Sequence, residues 1–171
     1  MAEVVVATED STNHLLHDNW SVWAHLPHDT DWSLNSYKHI FRIETVEEAI
    51  TLTETLPETM IKNCMLFIMR DGIHPTWEDP QNANGGCFSY KINNKSIKEA
   101  WKLLTYRLIG ETLVNDEKLS NMINGITISP KKNFCIIKIW CKTCDYQNAK
   151  IIKPIYDLII PHGCLFKKHK T

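Results

Sequence analysis

Apolar and polar residues alternate, or apolar residues form short runs, in several segments of the chain, and each such segment predicts a β-strand. The predicted strands are residues 19–26, 36–43, 65–70, 87–92, 126–129, 135–140 and 164–167. Between residues 71 and 86 the chain is rich in Gly and Pro, which predicts a loop. A loop of this length inside a compact domain is typically either functional or disordered.

Helical spacing of apolar residues predicts three helices. They are residues 45–56, 96–110 and 148–159. A capping-box pattern, Ser or Thr followed three residues later by Glu, opens the first helix at Thr45 and the second at Ser96. Gly110 stands at the C′ position of the second helix, and Pro154 interrupts or kinks the third.

Strand pairs separated by single helices, in the order ββαββαββαβ, predict an α+β fold. We expect a curved antiparallel sheet with three helices packed on its convex face, which leaves the concave face free for a ligand pocket. Residues 1–13 offer little for a core to hold and predict a mobile tail, so residues 14–171 form the expected single domain.

Composition limits the classes of partner. A chain of 171 residues with 43% hydrophobic residues can bury the core of one domain. Its formal net charge of −1 argues against wholesale binding of long nucleic acid, so a nucleic-acid ligand should be small and gripped locally. The six cysteines beside apolar runs fit a reducing compartment, and no segment has the pattern of a signal peptide or membrane span. A reducing cytosol or nucleus fits these features, and of the two a cytoplasmic location is expected.

The tryptophans divide into two groups. Four of them fall in predicted strands or helices, where an aromatic side chain usually enters the core: Trp20, Trp23, Trp101 and Trp140. Trp32 and Trp77 fall in polar loops and are candidates for an exposed stacking platform. Glu78 follows Trp77, and irregular backbone can direct both side chains into one pocket, whereas a regular strand would point them to opposite faces.

Two aromatic walls beside a carboxylate suit a cationic purine such as 7-methylguanine. The charged base is attracted to indole faces, and a carboxylate accepts hydrogen bonds from N1 and N2 of guanine. The same set also suits a sugar, so a carbohydrate or small-aromatic binding module is an alternative. The spacing of Cys141 and Cys144 resembles a metal-ligand pair, but no second pair completes a site. Because no nucleotide-hydrolysis or hydrolase motif is present, we expect no enzyme, metal or cofactor.

Several longer motifs resemble the eukaryotic translation initiation factor 4E family of mRNA cap-binding proteins. The most specific is the run DGI-x-P-x-WED followed by GG, and the LIGE after a helical Trp strengthens it. The matching segments are residues 14–23, 36–48, 71–86, 101–111 and 138–140. The resemblance covers the chain from His14 to about Leu165.

The resemblance implies roles for individual residues. Trp32 and Trp77 would stack on 7-methylguanosine, Glu78 would accept from the base edge, and Trp140 would lie near the added methyl group. Trp23 and Trp101 would be core residues.

The implied triphosphate site matches the family only in part. Cys87 and Ile136 stand where the family has basic residues, and Lys131 replaces an Arg. We expect Lys131 and Lys132 to contact phosphate, and the last lysines, Lys167, Lys168 and Lys170, are further candidates.

The family's convex surface receives a helix of a scaffold initiation factor or of a repressor. The corresponding residues here are His14, Val46, Ile50, Lys102 and Tyr106. Val46 keeps the family's dorsal Val, and His14 keeps the His of the family's His-Pro-Leu entry, which here reads HLL. Lys102 and Tyr106 stand where the family has leucines. Ile50 replaces a Trp, which removes a typical hot-spot anchor. A divergent scaffold partner, or escape from the usual inhibitors, is therefore expected. The alternative is that Lys102 is a solvated helix residue and the convex surface is unused.

Together these features predict a monomeric factor that binds capped mRNA and recruits a scaffold protein in translation initiation. A repressor or decoy with the same pocket is the alternative.

Overall fold

A computed structural model describes residues 12–170. Its centre is a curved seven-stranded antiparallel sheet in the order β2-β1-β3-β5-β6-β4-β7. The strands are β1 (Leu15–His25), β2 (Tyr37–Thr45), β3 (Met65–Arg70), β4 (Gly86–Asn93), β5 (Ile123–Pro130), β6 (Phe134–Cys141) and β7 (Leu165–Lys168). Each predicted strand is present, and β1 begins four residues before its predicted start at 19. The N-terminal tail predicted for residues 1–13 lies almost wholly outside the described residues.

Three α-helices are present among the described residues: α1 (Val46–Thr55), α2 (Glu58–Asn63) and α3 (Ile97–Ile109). The capping box that the sequence predicts at the start of α1 is confirmed. Thr45 Oγ1 accepts a 3.2 Å hydrogen bond from the Glu48 backbone N–H, and the Glu48 carboxylate accepts a 3.1 Å bond from the Thr45 N–H. This reciprocal pair satisfies two backbone donors at the helix end.

Three details of the predicted helices are wrong. Ser96 has helical backbone angles, and its side chain makes no capping hydrogen bond, so the second capping box does not form. Gly110 is the C-cap residue of α3 with a negative φ, and the left-handed conformation falls on Glu111 instead. Residues 58–63, which follow Pro57, form α2, which was not predicted from the sequence.

The helix predicted for residues 148–159 is also wrong. The segment contains one 3₁₀ turn, Ala149–Ile151, and two isolated bridges, Val114 to Ile152 and Ile155 to Ile159. Pro154 cannot donate a backbone hydrogen bond, so a continuous helix loses a bond there. The apolar residues of the segment reach the core without a helix, since Ile152, Ile155 and Ile159 are all buried.

The sheet buries side chains on both faces. Alternate residues of β3 show this: Leu66 and Ile68 join the main core, whereas Phe67 and Met69 join a smaller cluster on the opposite face. The helices pack on the main core, which contains Trp20 and Trp101 as the sequence predicts.

The opposite face carries the smaller cluster of Phe67, Met69, Ile73 and Trp140, with Trp23 only half-buried beside it. Trp23 is thus less enclosed than the core position implied by the resemblance. None of the described helices is long and apolar enough to cross a membrane.

Candidate functional site

A cavity of about 420 Å³ opens on the sheet face opposite the helices. This volume lies within the range of small-molecule sites. Its walls come from the β1–β2 and β3–β4 loops, from strands β2, β3, β5 and β6, and from the turn between β5 and β6. The lining residues are Trp32, Tyr37, Met65, Phe67, Pro75, Thr76, Trp77, Glu78, Thr127, Ser129, Lys131, Lys138 and Trp140.

The two loop tryptophans remain exposed, although most large apolar side chains of the protein are buried. Trp32 is 58% exposed and Trp77 is 45% exposed, and both line the cavity. Neither indole is a loop anchor tucked into the core. The structure therefore brings the two predicted stacking residues to one cavity.

The β3–β4 loop that carries Trp77 is held by buried polar side chains. The Asp79 carboxylate accepts backbone hydrogen bonds from His74 (2.9 Å) and Gln81 (2.8 Å). The fully buried Asn82 donates to the carbonyls of His74 (3.0 Å) and Thr76 (2.9 Å). These contacts fix the backbone on both sides of Trp77, so this long loop is ordered rather than disordered.

The positioning roles of Asp79 and Asn82 were not predicted from the sequence. The signal for Asp79 was present, because an Asp in a turn commonly accepts the backbone N–H two residues later, here that of Gln81. The role of Asn82 depends on Asn124, whose amide donates to Asn82 Oδ1 over 2.9 Å from β5. That partner is 42 residues away, and no local pattern indicates it.

Gly85 explains part of the GG motif at the end of this loop. A Cβ atom at this position would lie 1.8 Å from the Cys141 carbonyl oxygen. Only glycine allows the loop to approach the β6 backbone so closely. The loop therefore enters β4 at a fixed point.

Glu78 is exposed at the cavity beside Trp77. Its charge reaches Tyr37 across the cavity: burial, and secondarily the negative charge of Glu78, raises the pKa of the Tyr37 hydroxyl. A carboxylate in this position is available as a hydrogen-bond acceptor for a ligand edge.

Trp140 forms part of the cavity floor. It is 3% exposed and donates its indole N–H to Thr127 Oγ1 over 2.7 Å. Because its polar atom is satisfied, Trp140 offers the cavity mainly an apolar surface.

Two lysines line the cavity, and one of them was missed. Lys131 does so as the sequence predicts, whereas Lys132 is exposed and is not among the lining residues. Lys138 lies two residues before Trp140 on β6, so both side chains share one face of the sheet. Its Nζ lies 5.8 Å from the Trp77 ring centroid, and Lys167 Nζ lies 5.9 Å away. The two-residue spacing from Trp140 was the available signal.

Near Lys138 and Lys167, the buried Cys87 occupies a position that the resemblance assigns to a basic residue. Burial raises the pKa of the Cys87 thiol. This residue is therefore neutral at pH 7, and the positive charge of this region comes from the lysines.

The helical face has a shallow apolar groove of about 410 Å³. Its lining residues are Leu16, Val46, Ala49, Ile50, Tyr106, Ile109 and Gly110. The Tyr106 hydroxyl hydrogen-bonds Thr53 Oγ1 at 2.7 Å, and the Lys102 ammonium pairs with Glu54 beside the groove.

His14, just before β1, contacts the first turn of α1. Its backbone N–H donates to Glu47 Oε2 over 3.0 Å, and its Nδ1 lies 2.6 Å from Glu47 Oε1. The structure thus places Val46, Ile50 and Tyr106 in one groove, with Lys102 and His14 on the same helical side. Within residues 12–170, no cluster of three or more His, Cys, Asp or Glu side chains is placed to hold a metal ion.

Comparison with known proteins gives one family. The family model described as eukaryotic initiation factor 4E matches residues 15–171. Initiation factor 4E-2 of Schizosaccharomyces pombe is 30% identical over 143 residues, which cover 80% of this chain and 57% of that protein. Initiation factor 4E of Candida albicans is 29% identical over 154 residues, covering 84% and 72%. The chain thus spans little more than half the length of the first of these relatives.

Solved structures share the fold. Caenorhabditis elegans eIF4E-3 in complex with the 4E-binding protein Mextli and a cap analog superposes with a TM-score of 0.70 at 20% identity, covering 78% of this chain and 76% of that one. Ascaris suum eIF4E-3 with m7G cap gives a TM-score of 0.68 at 22% identity, covering 77% and 75%.

Proposed function

The chain belongs to the eukaryotic initiation factor 4E family, and we propose that it binds the 7-methylguanosine cap of mRNA in translation initiation. The observation that carries this proposal is the placement of two exposed indoles, Trp32 and Trp77, with the exposed carboxylate of Glu78 at one cavity. The eIF4E-3 structure of Ascaris suum that shares this fold contains m7G cap.

The cavity suits a positively charged aromatic base. Methylation at N7 gives guanine a positive charge, which the electron-rich faces of Trp32 and Trp77 attract. Glu78 accepts hydrogen bonds from N1 and N2, a pattern that adenine and the pyrimidines do not present. Trp140 supplies an apolar floor on which the methyl group packs.

The phosphate groups on the ribose of this nucleotide meet the lysines of the cavity rather than the family's arginines. Lys131 and Lys138 line the cavity, and Lys167 lies beside Trp77. A Lys is a point charge without the planar fork of Arg, so phosphate recognition is less geometrically specific here.

The helical face is the proposed docking surface for a scaffold protein. The groove beside Val46 and Ile50 is apolar and open, and a short amphipathic helix fits such a surface. C. elegans eIF4E-3 occurs in complex with a 4E-binding protein. Capture of a cap and a scaffold makes and breaks no covalent bond, so the proposed role is that of a non-enzymatic cytoplasmic factor built on residues 14–171.

Tryptophan fluorescence tests the proposal. Titration of the full chain with 7-methylguanosine triphosphate should quench its fluorescence, whereas unmethylated GTP should bind at least about tenfold more weakly because its base is neutral. Trp32→Ala and Trp77→Ala should each weaken binding of the methylated ligand by about 10- to 100-fold, as expected for loss of one stacking wall.

Tyr146→Ala is the matched control, because Tyr146 is an exposed aromatic that does not line the cavity. It should leave the affinity unchanged. Equal affinity for methylated and unmethylated ligands would refute cap recognition. Displacement of the ligand by oligosaccharides would instead favour a carbohydrate-binding module.

A further inference from the structure

A buried histidine covers one face of the Trp32 indole. The rings of His25 and Trp32 are parallel, with an interplanar angle of 3° and centroids 4.1 Å apart. At that separation no third group fits between them. His25 is 2% exposed and does not line the cavity, so the free face of Trp32 is the one turned away from His25.

The same histidine also fixes the backbone next to Trp32. His25 Nε2 lies 2.8 Å from the Asp31 carbonyl oxygen. Because a carbonyl oxygen only accepts, Nε2 carries the hydrogen and donates. This bond ties the residue before Trp32 to the last residue of β1. The edge of Tyr37, with its centroid 5.1 Å away at 64°, confines the imidazole from another side.

The loop itself adds two short-range restraints. Asp29 Oδ1 accepts from the Asp31 N–H over 2.9 Å, and Asp31 Oδ1 accepts from the Ser33 N–H over 2.8 Å. The backbone is therefore held on both sides of Trp32. His25 is the element that connects this small turn to the sheet.

From these contacts we infer that His25 is a positioning residue, which holds Trp32 in its ligand-binding position before the ligand arrives. The inference rests on the proposed function. An exposed indole on an unsupported loop samples many orientations, and binding has to restrict them. A wall that is already fixed avoids this loss of conformational freedom, so affinity rises without any new contact to the ligand.

Both halves of the imidazole contribute. The flat face of the imidazole packs against one face of the Trp32 indole. The opposite face of the indole stays open to a ligand. The Nε2–H group fixes the loop backbone, which a phenyl ring cannot do. His25 is buried behind the wall and already bonded, so it acts through Trp32 and not on the ligand.

NMR relaxation of the Trp32 indole N–H in the ligand-free full chain tests the inference directly. In the wild-type protein the order parameter should be near the rigid value of about 0.85, and in His25→Ala it should fall below about 0.6. His25→Phe, which keeps the ring and loses the hydrogen bond, should be intermediate. His25→Gln keeps a donor without the ring and should also be intermediate.

Ligand binding gives the second measurement. His25→Ala should weaken binding of 7-methylguanosine triphosphate by about tenfold, and His25→Phe should recover most of that loss. In a Trp32→Ala background, His25→Ala should have no further effect, because the wall that it positions is gone. His39→Ala is the matched control: His39 packs edge-on against Trp23 at 4.9 Å and is not among the residues that line the cavity.

Each result has a distinct meaning. An unchanged Trp32 order parameter in His25→Ala would refute the inference, and so would unchanged affinity. If urea titration shows that His25→Ala is not folded, the Trp32 order parameter is measured in His25→Phe and His25→Gln instead. An unchanged value in both variants would then refute the inference. If the wild-type protein does not distinguish methylated from unmethylated GTP, the proposed function fails, whereas the ligand-free relaxation still tests the role of His25.

Discussion

Trp140 donates its indole N–H to Thr127 Oγ1 over 2.7 Å, in a buried pair that joins β6 to β5 beneath the ligand cavity. The hydroxyl is the acceptor that satisfies this indole. Thr127→Val keeps the shape of the side chain and leaves a buried donor unpaired, which should lower the free energy of unfolding by about 1 to 3 kcal/mol. Urea denaturation measures this change.

Thr105→Val serves as the control for that variant. Thr105 is also buried, but its hydroxyl donates to the Trp101 carbonyl within α3, so its removal leaves no unpaired donor. Its cost should be smaller than that of Thr127→Val. An equal cost for the two variants would show that the Trp140 pair has no special role.

Arg70, the last residue of β3, connects β1 with the segment that follows α3. Its guanidinium donates to both Glu111 carboxylate oxygens at 2.7 and 3.3 Å, pairs with Asp18, and lies 4.5 Å from the Trp20 ring centroid. Arg70→Met leaves the mostly buried Glu111 carboxylate without its partner and should lower the free energy of unfolding by about 2 to 4 kcal/mol.

The exposed pair of Arg42 and Glu44 gives the comparison for Arg70. Arg42 also pairs with Asp71 at 2.9 Å, and Arg42→Met should change the free energy of unfolding by about 0 to 1 kcal/mol, because solvent screens both exposed pairs. Chemical denaturation of both variants in the same buffer distinguishes them. A cost for Arg70→Met no greater than that for Arg42→Met would contradict the prediction.

Lys138 should contribute to phosphate recognition rather than to recognition of the base. Lys138→Met should weaken binding of 7-methylguanosine triphosphate by a few-fold and reduce the slope of log affinity against log salt by about 1. Binding of 7-methylguanosine, the nucleoside without phosphate groups, should not change. Lys132→Met is the control, because Lys132 does not line the cavity. Equal loss for nucleoside and triphosphate would contradict the assignment.

His169 should lower the free energy of unfolding of the protein in mild acid. It packs against Trp77 and Trp140, with ring centroids 6.0 and 4.8 Å away, and burial lowers the pKa of its imidazole below the ordinary value of 6.5. The unfolded chain therefore binds a proton at higher pH than the folded protein does. The contribution of His169 is fully present above about pH 6.5 and decreases as the pH falls below that value.

Urea titrations at several pH values between 5 and 8 measure this effect as the difference between the wild-type protein and His169→Asn. The exposed His162 provides the control variant, His162→Asn. If the wild-type protein and His169→Asn lose stability in parallel below pH 6.5, His169 is not the group responsible.

We expect the groove on the helical face to bind the scaffold peptides of other family members only weakly. Ile50 is 47% exposed there, at the position where the family resemblance expects a Trp. Ile50→Trp should therefore raise the affinity for a helical scaffold peptide of this family by about tenfold, while leaving cap binding unchanged. Ile40→Trp, at an exposed position on β2 outside the groove, is the control. High affinity of the unmodified chain would contradict the expected divergence.

Local patterns were sufficient to predict the strands and the capping box at Thr45, because strand alternation and helix caps depend on neighbouring residues. The two exposed tryptophans were also predictable from their polar surroundings. Contacts distant in sequence were not predictable: Asn82 depends on Asn124, and the stacking of His25 on Trp32 depends on the fold of the loop. The helix predicted for residues 148–159 does not form, although their apolar spacing suits one, because Pro154 lacks a backbone donor and Ile152 forms a bridge to the distant Val114.

The loops that carry Trp32 and Trp77 are stabilised separately. Trp32 depends on His25 and Asp31, whereas Trp77 depends on Asp79 and Asn82. In the part of the chain that the structure describes, no hydrogen bond joins one loop to the other. A substitution that moves one indole therefore does not have to displace the other. Substitutions in one loop can therefore alter the distance between the two indoles while the other indole keeps its own support.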